Sequence, residues 1–387
     1  MRKLKTLTIK NFKSIFELSI DIPQFAVIVG NNSVGKTNLL KAINLISLLA
    51  QGSQINSAIK ELNMQDDEVL FDPNNPTFSF DLEIELDDKQ IRYTLEISRS
   101  PLADNSFQYH VVRELLTNGK NIIDRTGSNI SIEASGVLPE ITGDQTALSI
   151  YRRLNIVSDV QRFLSSMKVD SYHVMGLRNP GTVANVIPGL DKNLAEKLYY
   201  LSKSIPASYQ EIVNEAIHMI TGLEGISIDE NGGKLTISFK ELSVPNKFSA
   251  YSSSDGNLRL LGILTSIIGQ PKPSVVFIDE IENSMHPRRI KAIIKFLNYL
   301  SEKDNNGIQI IFTTHSPVVL RCVNDKEIIY MYRINGKTTI SKPYNHPKVL
   351  EYLQHAIKKD SDTDLGELFE TGALEEIFKL GIEKVNT

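Results

Sequence analysis

Apolar and polar residues alternate near the start of the chain, over residues 4–10 and again over residues 15–22. Such alternation indicates strands with one buried face. Residues 25–29, with the sequence FAVIV, form a short continuous apolar run that ends at Gly30, as expected of a strand buried on both faces. The pattern therefore predicts an antiparallel pair of strands that leads into a buried strand.

A helical stretch and then a hairpin pattern follow this buried strand. Residues 38–49 carry apolar positions at helical spacing, whereas the polar residues 51–76 predict no regular element. Residues 78–86 alternate strictly, a polar turn occupies residues 87–90, and the alternation resumes over residues 91–97. This arrangement predicts a β-hairpin with one buried face.

The middle third of the chain has a different pattern from the regions before and after it. Its periodicity predicts short strands in residues 106–136, helices in 147–167 and 191–221, and a hairpin in 225–240. The following region predicts a helix at 257–268, a strand at 274–278, a helix at 287–300, a strand at 308–312 and a strand pair around Asn335 and Gly336. Alternating strands and helices indicate a parallel sheet, so the middle third interrupts an α/β core.

Residues 30–37 read GNNSVGKT and match the phosphate-binding pattern GxxxxGK[ST]. In that motif backbone N–H groups bind phosphate oxygens, the lysine (Lys36) reaches the β and γ phosphates, and the final hydroxyl (Thr37) binds Mg²⁺. A glycine-rich turn without function is the alternative, but a buried strand before the motif and a helix after it favour a nucleotide site. The predicted ATP-binding residues are Gly30, Asn31, Asn32, Ser33, Val34, Gly35, Lys36, Thr37 and Asn38.

Two further strands end in residues that suit catalysis. Residues 275–280 read VVFIDE, so Asp279 and Glu280 follow a buried strand. Asp279 is expected to complete the Mg²⁺ site, and Glu280 to orient or deprotonate the attacking water. The strand at 308–312 leads to His315, whose neutral imidazole would contact the γ phosphate and the water. Taken singly, each pattern has an alternative without catalysis. The acidic pair would simply start a helix, and the histidine would make a structural hydrogen bond.

Residues 251–259 read YSSSDGNLR and open a predicted helix. Ser254, Asp255 and Gly256 combine a small hydroxyl, a glycine and free backbone N–H groups at a helix start, which is a site suited to an anion. An ordinary helix capped by Ser253 or Ser254 is the alternative that this segment alone favours.

The order of these segments resembles that of ABC-type ATPases: P-loop, Ser-Asp-Gly loop, strand with Asp-Glu, and strand with histidine. The resemblance covers residues 1–50 and 247–320, and more weakly the hairpin at 78–97. NFKS at residues 11–14 is similar to the SMC, RecF and OLD branch of the class. IDEIENSMHP at 278–287 and TTHSP at 313–317 resemble OLD-like, stand-alone AAA-type ATPases of bacteria and phages.

This resemblance implies an α/β fold, namely a P-loop ATPase head with a mixed, mostly parallel core sheet, an antiparallel β subdomain and an inserted, mostly helical lobe. The implied divisions are the N-terminal part of the core (1–105), the inserted lobe (106–246), the C-terminal part of the core (247–345) and a helical tail (346–387).

The resemblance also implies roles for single residues. Ser254, Asp255 and Gly256 would form the signature that contacts the γ phosphate bound by the other subunit, and His315 would be the switch histidine. Residues 283–286 would form the D-loop that contacts the partner subunit.

Other positions are assigned less directly. Lys13 is expected to contact the phosphates of the nucleotide, and Ser253 stands where a leucine is common, which should weaken packing beneath the signature. Three residues are equal candidates for the glutamine of the Q-loop: Gln51, Gln54 and Gln65.

Composition restricts the class of protein only in part. The 387 residues carry a net charge of −4, which neither indicates nor excludes a nucleic-acid partner. Basic residues that form either solvated faces or phosphate contacts are Arg2, Lys3, Lys5, Lys10 and Lys13 near the start, and Arg288, Arg289, Lys291 and Lys295 later. Cys322 is the single cysteine, so no internal disulfide forms, which suits a cytoplasmic location, and the apolar runs are too short to cross a membrane.

A metal-binding nuclease domain is not expected at the end of the chain. OLD nucleases carry a Toprim domain with an Asp-x-Asp pair, and the only such spacing here is Asp360, Asp362 and Asp364, with no apolar strand before it. An EF-hand would need glycine and glutamate where Leu365 and Thr371 stand. A polar loop and a helix cap before an amphipathic segment at residues 365–380 are expected instead.

These features predict a Mg-ATP-dependent ATPase that hydrolyses ATP to ADP and phosphate and works as a homodimeric switch. The resemblance implies a separate effector, either a nuclease or a toxin, and a role in antiphage defence. A RecF-like DNA-repair ATPase that clamps nucleic acid is the first alternative. A transporter subunit is the second, disfavoured by the NFKS start and by the long insertion between P-loop and signature.

Overall fold

The computed structural model describes residues 2–104, 106–133, 139–170, 174–186, 193–269, 275–303, 308–351 and 364–383. Asp360 and Asp362 of the Asp-x-Asp segment lie outside these residues. Asp364 is described and caps a helix, with its carboxylate accepting the N–H of Glu367 at 2.8 Å. No helix in the described ranges combines the length and apolar composition that crossing a bilayer requires.

Strands and helices are numbered in chain order. The strands are β1 (Arg2–Phe12), β2 (Ile15–Asp21), β3 (Phe25–Val29), β4 (Thr77–Leu86), β5 (Lys89–Pro101), β6 (Phe107–Thr117), β7 (Asn121–Thr126), β8 (Asn129–Ile132), β9 (Lys168–Asp170), β10 (Gly181–Thr182), β11 (Leu223–Asn231), β12 (Lys234–Glu241), β13 (Phe248–Ser249), β14 (Val275–Ile278), β15 (Gln309–Thr314), β16 (Ile328–Ile334) and β17 (Lys337–Ser341). The α-helices are α1 (Lys36–Gln51), α2 (Ile55–Glu61), α3 (Ala147–Ile150), α4 (Asn155–Ser165), α5 (Val174–Arg178), α6 (Leu194–Ser204), α7 (Pro206–Met219), α8 (Asp255–Ile268), α9 (Pro287–Glu302), α10 (Pro317–Leu320), α11 (Leu365–Glu370) and α12 (Ala373–Glu383).

A six-stranded sheet in the order β17-β16-β3-β15-β14-β9 forms the centre of the fold. All its pairs are parallel except β16 with β17. Every residue of β3, β14 and β15 is buried, because helices cover both faces of a parallel sheet. Successive side chains point to opposite faces, so Ala26 and Ile28 pack with α1 while Val27 and Val29 pack with α8 and α9.

A seven-stranded antiparallel sheet in the order β2-β1-β4-β5-β6-β7-β8 packs against the other side of α1. Its alternating apolar residues share one core with the apolar face of that helix. Both predicted sheets are therefore present, and α1 is fixed between them. The predicted hairpins are also present, as β4 with β5 and β11 with β12. This packing holds the start of α1, and the loop before it, in a defined position.

The middle third differs from the expected, mostly helical lobe. Strand β6 pairs with β5 along most of its length, so β6, β7 and β8 extend the antiparallel sheet across the predicted division at residue 105. Strand β9 joins the core sheet beside β14. The physical reason is that β5 and β14 would otherwise leave rows of backbone hydrogen-bonding groups unpaired.

The rest of the middle third covers the helix α8. Helices α5, α6 and α7 pack on it, and a small sheet of β10, β12, β11 and β13 packs on α6 and α7. Every residue of α8 except the exposed Asp255 is buried as a result. The insertion therefore fixes the start of α8, where the predicted signature lies.

Candidate functional site

The predicted P-loop connects β3 to α1. A Cβ atom on Gly30 would lie 2.2 Å from the carbonyl oxygen of Met331, so only glycine fits against β16 there. Gly35 has φ +113°, and a Cβ atom on it would lie 2.6 Å from the hydroxyl of Thr338. The hairpin of β16 and β17 thus packs directly against the loop and sets its shape.

Lys36 lies buried inside the loop. Its Nζ donates hydrogen bonds to the carbonyl oxygens of Gly30 at 2.7 Å and Asn31 at 3.0 Å. Burial lowers the pKa of Lys36, and the charges of Glu280, Asp279 and Glu282 oppose that shift. The ammonium group therefore lies within electrostatic reach of the acids that follow β14.

A cleft of about 360 Å³ opens beside the loop. The residues that line it are Ser14, Asn32, Ser33, Gly35, Lys36, Thr37, Asn38, Glu280 and Arg333. The structure thus brings Glu280 and six of the predicted ATP-binding residues to one cleft. Other predicted residues do not line it, namely Gly30, Asn31, Val34, Asp279 and His315.

Arg333 was not predicted as a site residue. It pairs with Thr338 across the β16–β17 hairpin, and the Thr338 hydroxyl donates to the carbonyl oxygen of Val34 in the P-loop. Directly paired residues share a face, so Arg333 lies beside the loop. Its guanidinium has no hydrogen-bond or ion-pair partner in the described part of the chain. No local motif marks this residue, because its place depends on the pairing of β16 with β3.

Thr313 holds the two predicted acids. Its hydroxyl donates to the Asp279 carboxylate at 2.6 Å and accepts the N–H of Glu280 at 2.8 Å. Glu280 has φ +46°, a costly backbone conformation for a residue with a side chain. The parallel pairing of β14 with β15 places these residues at one sheet edge. The same pairing brings His315 near, with its Nδ1 3.9 Å from the Glu280 carboxylate and 3.1 Å from that of Glu282.

The predicted signature lies at the start of α8. Ser254 is exposed and caps the helix, its hydroxyl accepting the N–H of Asn257 at 3.3 Å. Gly256 is buried, and a Cβ atom on it would lie 2.4 Å from the carbonyl oxygen of Ser284. Glycine therefore allows the signature to contact the predicted D-loop of the same chain.

Arg178, another residue that was not predicted, fixes the loop before α8. Its guanidinium donates to the carbonyl oxygens of Ala250 at 2.8 Å, Tyr251 at 2.7 Å and Ser253 at 2.9 Å. It also donates to the carboxylate of Asp255. One planar fork of donors thus immobilises the backbone that leads into the signature.

Ser253, expected to weaken packing, is 4% exposed. The side-chain amide of Asn257 donates to the Ser253 hydroxyl at 3.4 Å. The guanidinium of Arg289 in turn donates to the side-chain oxygen of Asn257 at 2.6 Å. Polar contacts thus take the place of the apolar packing that a leucine would provide.

Arg259 connects α8 to the acids. This arginine is 2% exposed, and its guanidinium donates to the backbone carbonyl oxygens of Asp279 and, at 2.6 Å, Glu280. A displacement of α8 would therefore act on the backbone that carries both acids.

Some predicted residues do not reach the cleft. The Lys13 ammonium contacts the carbonyl oxygen and the carboxylate of Glu68, each at 3.4 Å, and it is Ser14 that lines the cleft. Gln51 ends the 16-residue helix α1, about 22 Å from its start, and donates to the carbonyl oxygen of Ser165. Gln54 and Gln65 do not line the cleft either. Strand β9 reaches the edge beside β14, and residues 171–173 after it lie outside the described residues.

The residues expected to hold Mg²⁺ supply oxygen atoms, which this ion prefers. Thr37, which has a hydroxyl, lines the cleft, and Asp279 has a carboxylate whose charge acts on Lys36. These donors fit an ion bound mainly by nucleotide oxygens and water. Within the described ranges, no group of three or more histidine, cysteine, aspartate or glutamate residues has the arrangement of a metal site.

The C-terminal helices also reach the loop. The side-chain amide of Asn31 donates to the Glu375 carboxylate at 2.6 Å. Phe378 of the same helix stacks on Tyr330 and Tyr332 of β16. Helix α12, in the region expected to form a helical tail, thus contacts the P-loop.

Comparison with known proteins agrees with this arrangement. A family model described as "AAA domain, putative AbiEii toxin, Type IV TA system" matches residues 25–149 and 186–321, well over half of the chain. The chain is 22% identical over 378 residues to the OLD nuclease of Thermus scotoductus, covering 89% of this chain and 67% of that protein. It is 20% identical over 346 residues to the ATP/GTP phosphatase of Helicobacter pylori, covering 81% of this chain and 85% of that protein.

Solved structures share the fold. The SMC head bound to the C-winged helix domain of ScpA superposes with a TM-score of 0.56 at 16% identity, over 87% of this chain and 96% of that one. An SMC head with an extended coiled coil, bound to the C-terminal domain of ScpA derived from Pyrococcus furiosus, gives 0.52 at 13% identity, over 92% and 100%. The predicted fold class and resemblance are thereby confirmed: the chain has the fold of SMC heads, is similar to an OLD nuclease, belongs to the AAA-domain family named above and is an ATPase.

Proposed function

We propose that this ATPase works as a homodimer that closes around two Mg-ATP molecules and uses closure to control a separate effector protein. The observation that carries the proposal is the placement of Ser254 and Asp255. Both are exposed on a loop fixed by Arg178, yet neither lines the P-loop cleft of its own chain. A rigid, exposed anion site of this kind suits the phosphate bound by a second copy.

Within each subunit the P-loop binds the triphosphate. Lys36 exchanges its backbone carbonyl partners for the β and γ phosphates, and the N–H groups at the start of α1 bind phosphate oxygens. Thr37 and Asp279 would hold Mg²⁺, which when bound neutralises charge on those phosphates. Glu280 accepts a proton from the attacking water, and His315 lies close enough to share that water.

Closure and chemistry are connected through α8. The signature begins this helix, and Arg259 binds the backbone of both acids from the same helix. When Ser254 binds the nucleotide of the partner subunit, the contact therefore acts through α8 on the two acids of its own subunit. This connection supports a switch in which the two sites respond together.

The effector is proposed from the relatives. The matching family is described by a toxin system, and one relative is named a nuclease, so a nuclease or a toxin is the proposed class of partner. Antiphage defence and a cytoplasmic location are part of the same proposal.

One surface favours a second candidate, a DNA-clamping ATPase. Arg288, Lys291 and Lys295 are exposed on one face of α9 and form no ion pair with described residues. Such cations suit a phosphate backbone. Binding of duplex DNA that depends on ATP, and weakens in Lys291→Glu, would favour this candidate.

Lys36→Ala tests nucleotide binding. The lysine supplies charge-assisted hydrogen bonds to two phosphates, so its loss should weaken ATP binding by about 100-fold or more. Isothermal titration with ATP measures this, with the exposed Lys60→Ala as matched control. Wild-type affinity in Lys36→Ala would contradict the assignment of the cleft.

Arg178→Lys tests the fixed signature loop. A lysine cannot serve the four acceptors that Arg178 binds, so the loop should lose its single conformation. We expect unchanged ATP affinity and about tenfold slower hydrolysis, since loss of a supporting contact typically costs this much. Arg162→Lys, at an exposed helix position, is the control. Equal loss in both variants would argue against a role for the loop.

A further inference from the structure

We propose that Glu282 is a positioning residue that acts through His315, holding the imidazole with Nδ1 as its protonated nitrogen and leaving Nε2 for the nucleotide or the attacking water. The inference rests on the proposed role of His315 in ATP hydrolysis and adds a residue to it.

Glu282 holds His315 at two points. Its Oε1 accepts the backbone N–H of His315 at 2.8 Å and lies 3.1 Å from the ring Nδ1. The second distance is a close ion-pair contact, whereas the 3.9 Å from Nδ1 to the Glu280 carboxylate is longer. Glu282 therefore holds the ring, and Glu280 keeps its carboxylate for the water.

The burial of the two side chains differs in the way this role requires. The Glu282 side chain is 9% exposed, whereas the ring of His315 is 45% exposed. The carboxylate is thus committed to the protein, and the imidazole is presented at the sheet edge. Because β14 and β15 are parallel neighbours, the turn after one meets the end of the other.

A stabilising role alone explains Glu282 poorly. Its Oε2 is buried and has no hydrogen-bond partner among the described residues. A buried acceptor without a partner has lost its hydrogen bonds to water and is destabilising. A carboxylate in such a place adds little to stability, which favours a role in orienting its neighbour. Its charge acts on Lys36, but that lysine is expected to bind the nucleotide.

A carboxylate next to an imidazole has a defined effect. It selects which ring nitrogen carries the proton and fixes the orientation of the ring. At metal sites, removing a carboxylate that supports a histidine in this way costs about 10–100-fold in metal affinity or activity. The alternative is that Glu282 only anchors the backbone of residue 315. Glutamine keeps an oxygen for the backbone N–H but removes the negative charge beside the ring, so it separates backbone anchoring from the electrostatic hold on the imidazole.

The test is a double-mutant cycle of Glu282→Gln and His315→Ala, with kcat and KM for ATP and the Kd of a fluorescent ATP analogue. We expect Glu282→Gln to lower kcat by about tenfold or more with Kd unchanged. The double variant should be no slower than His315→Ala alone, because Glu282 acts through the ring. Glu302→Gln, exposed near the end of α9, is the control and should behave as wild type.

Other outcomes overturn the inference in distinguishable ways. Multiplying losses would show that Glu282 acts independently of His315. Wild-type kcat in Glu282→Gln, with His315→Ala slow, would remove Glu282 and leave the proposed function intact. Wild-type kcat in His315→Ala would remove both roles.

A measurement on the wild-type protein detects the position of the proton directly. The ¹⁵N chemical shifts of the imidazole rings report which nitrogen is protonated, and His315 is one of seven histidines, identified by the signal lost in His315→Ala. We expect a proton on Nδ1 in the wild type. A proton on Nε2 alone would refute the proposal.

Discussion

Glu280→Gln should bind ATP with near wild-type affinity and hydrolyse it about 10²- to 10⁴-fold more slowly, the range that general base catalysis contributes. The amide matches the shape of the carboxylate but cannot accept the proton of the attacking water. The contacts that Glu280 makes to Thr313 and Arg259 use its backbone, so they persist in the variant. Chemistry should therefore be lost while the local structure is kept.

The same variant should reveal the dimer. When hydrolysis is blocked, the closed state is no longer ended by loss of the γ phosphate. ATP should therefore produce a long-lived dimer in size-exclusion chromatography. Glu302→Gln removes a charge at an exposed position and should show wild-type turnover. Undiminished turnover in Glu280→Gln, with no ATP-dependent change in size, would show that the role given to Glu280 is wrong.

The contiguous parts of the site were predictable because their chemistry is local. A buried strand, a glycine-bearing loop and a helix follow each other without interruption, and β3 spans the predicted residues while α1 begins only two residues before its predicted start. The glycines are required by close contacts with β16 and β17, yet the pattern itself needs no knowledge of those contacts.

The supporting residues were not predictable, because they depend on pairing between distant segments. Arg178 binds a loop more than 70 residues later, and no periodicity indicates that α5 packs beside α8. Thr313 was noted only as part of a motif, and its contact with Asp279 follows from the register of β14 and β15. Arg333 depends in the same way on where β16 lies.

Lys13 and Ser14 show how one residue changes a prediction. Lys13 has φ +51°, and its N–H bonds to the carbonyl oxygen of Val69, so the chain turns here rather than continuing a strand. The side chains of adjacent residues then face different surroundings, with Lys13 at Glu68 and Ser14 in the cleft. The motif indicated the segment beside the cleft, and the turn determines that Ser14 rather than Lys13 lines it.

Ser254→Arg should bind ATP normally as a monomer and fail to close and hydrolyse, with a loss on the order of 10²- to 10³-fold, as for removal of a donor to a developing charge. Ser254 is exposed and does not line the cleft of its own chain, so a change there should leave the P-loop intact. In the proposed dimer the serine would meet the γ phosphate of the other subunit, where a bulky side chain would obstruct closure.

Loss of the helix cap must be separated from obstruction. Ser254 caps α8, and removing such a cap costs about 1 kcal/mol. Ser254→Ala loses the same cap without adding bulk, so it should match Ser254→Arg in thermal stability and retain more activity. Equal activity in the two variants would attribute the loss to the fold of α8 alone.

Mixing variants gives the sharper test of action between subunits. In the proposed dimer each site would combine the P-loop of one chain with the signature of the other. A heterodimer of Ser254→Arg and Lys36→Ala chains would therefore have one composite site with both lesions and one with neither. The intact site should restore part of the hydrolysis that both homodimers lack, as measured by phosphate release on titrating one variant into the other. The homodimer decides the matter: if Ser254→Arg folds normally and hydrolyses ATP at the wild-type rate, Ser254 does not act on a partner's nucleotide, and the proposed dimeric switch fails with it.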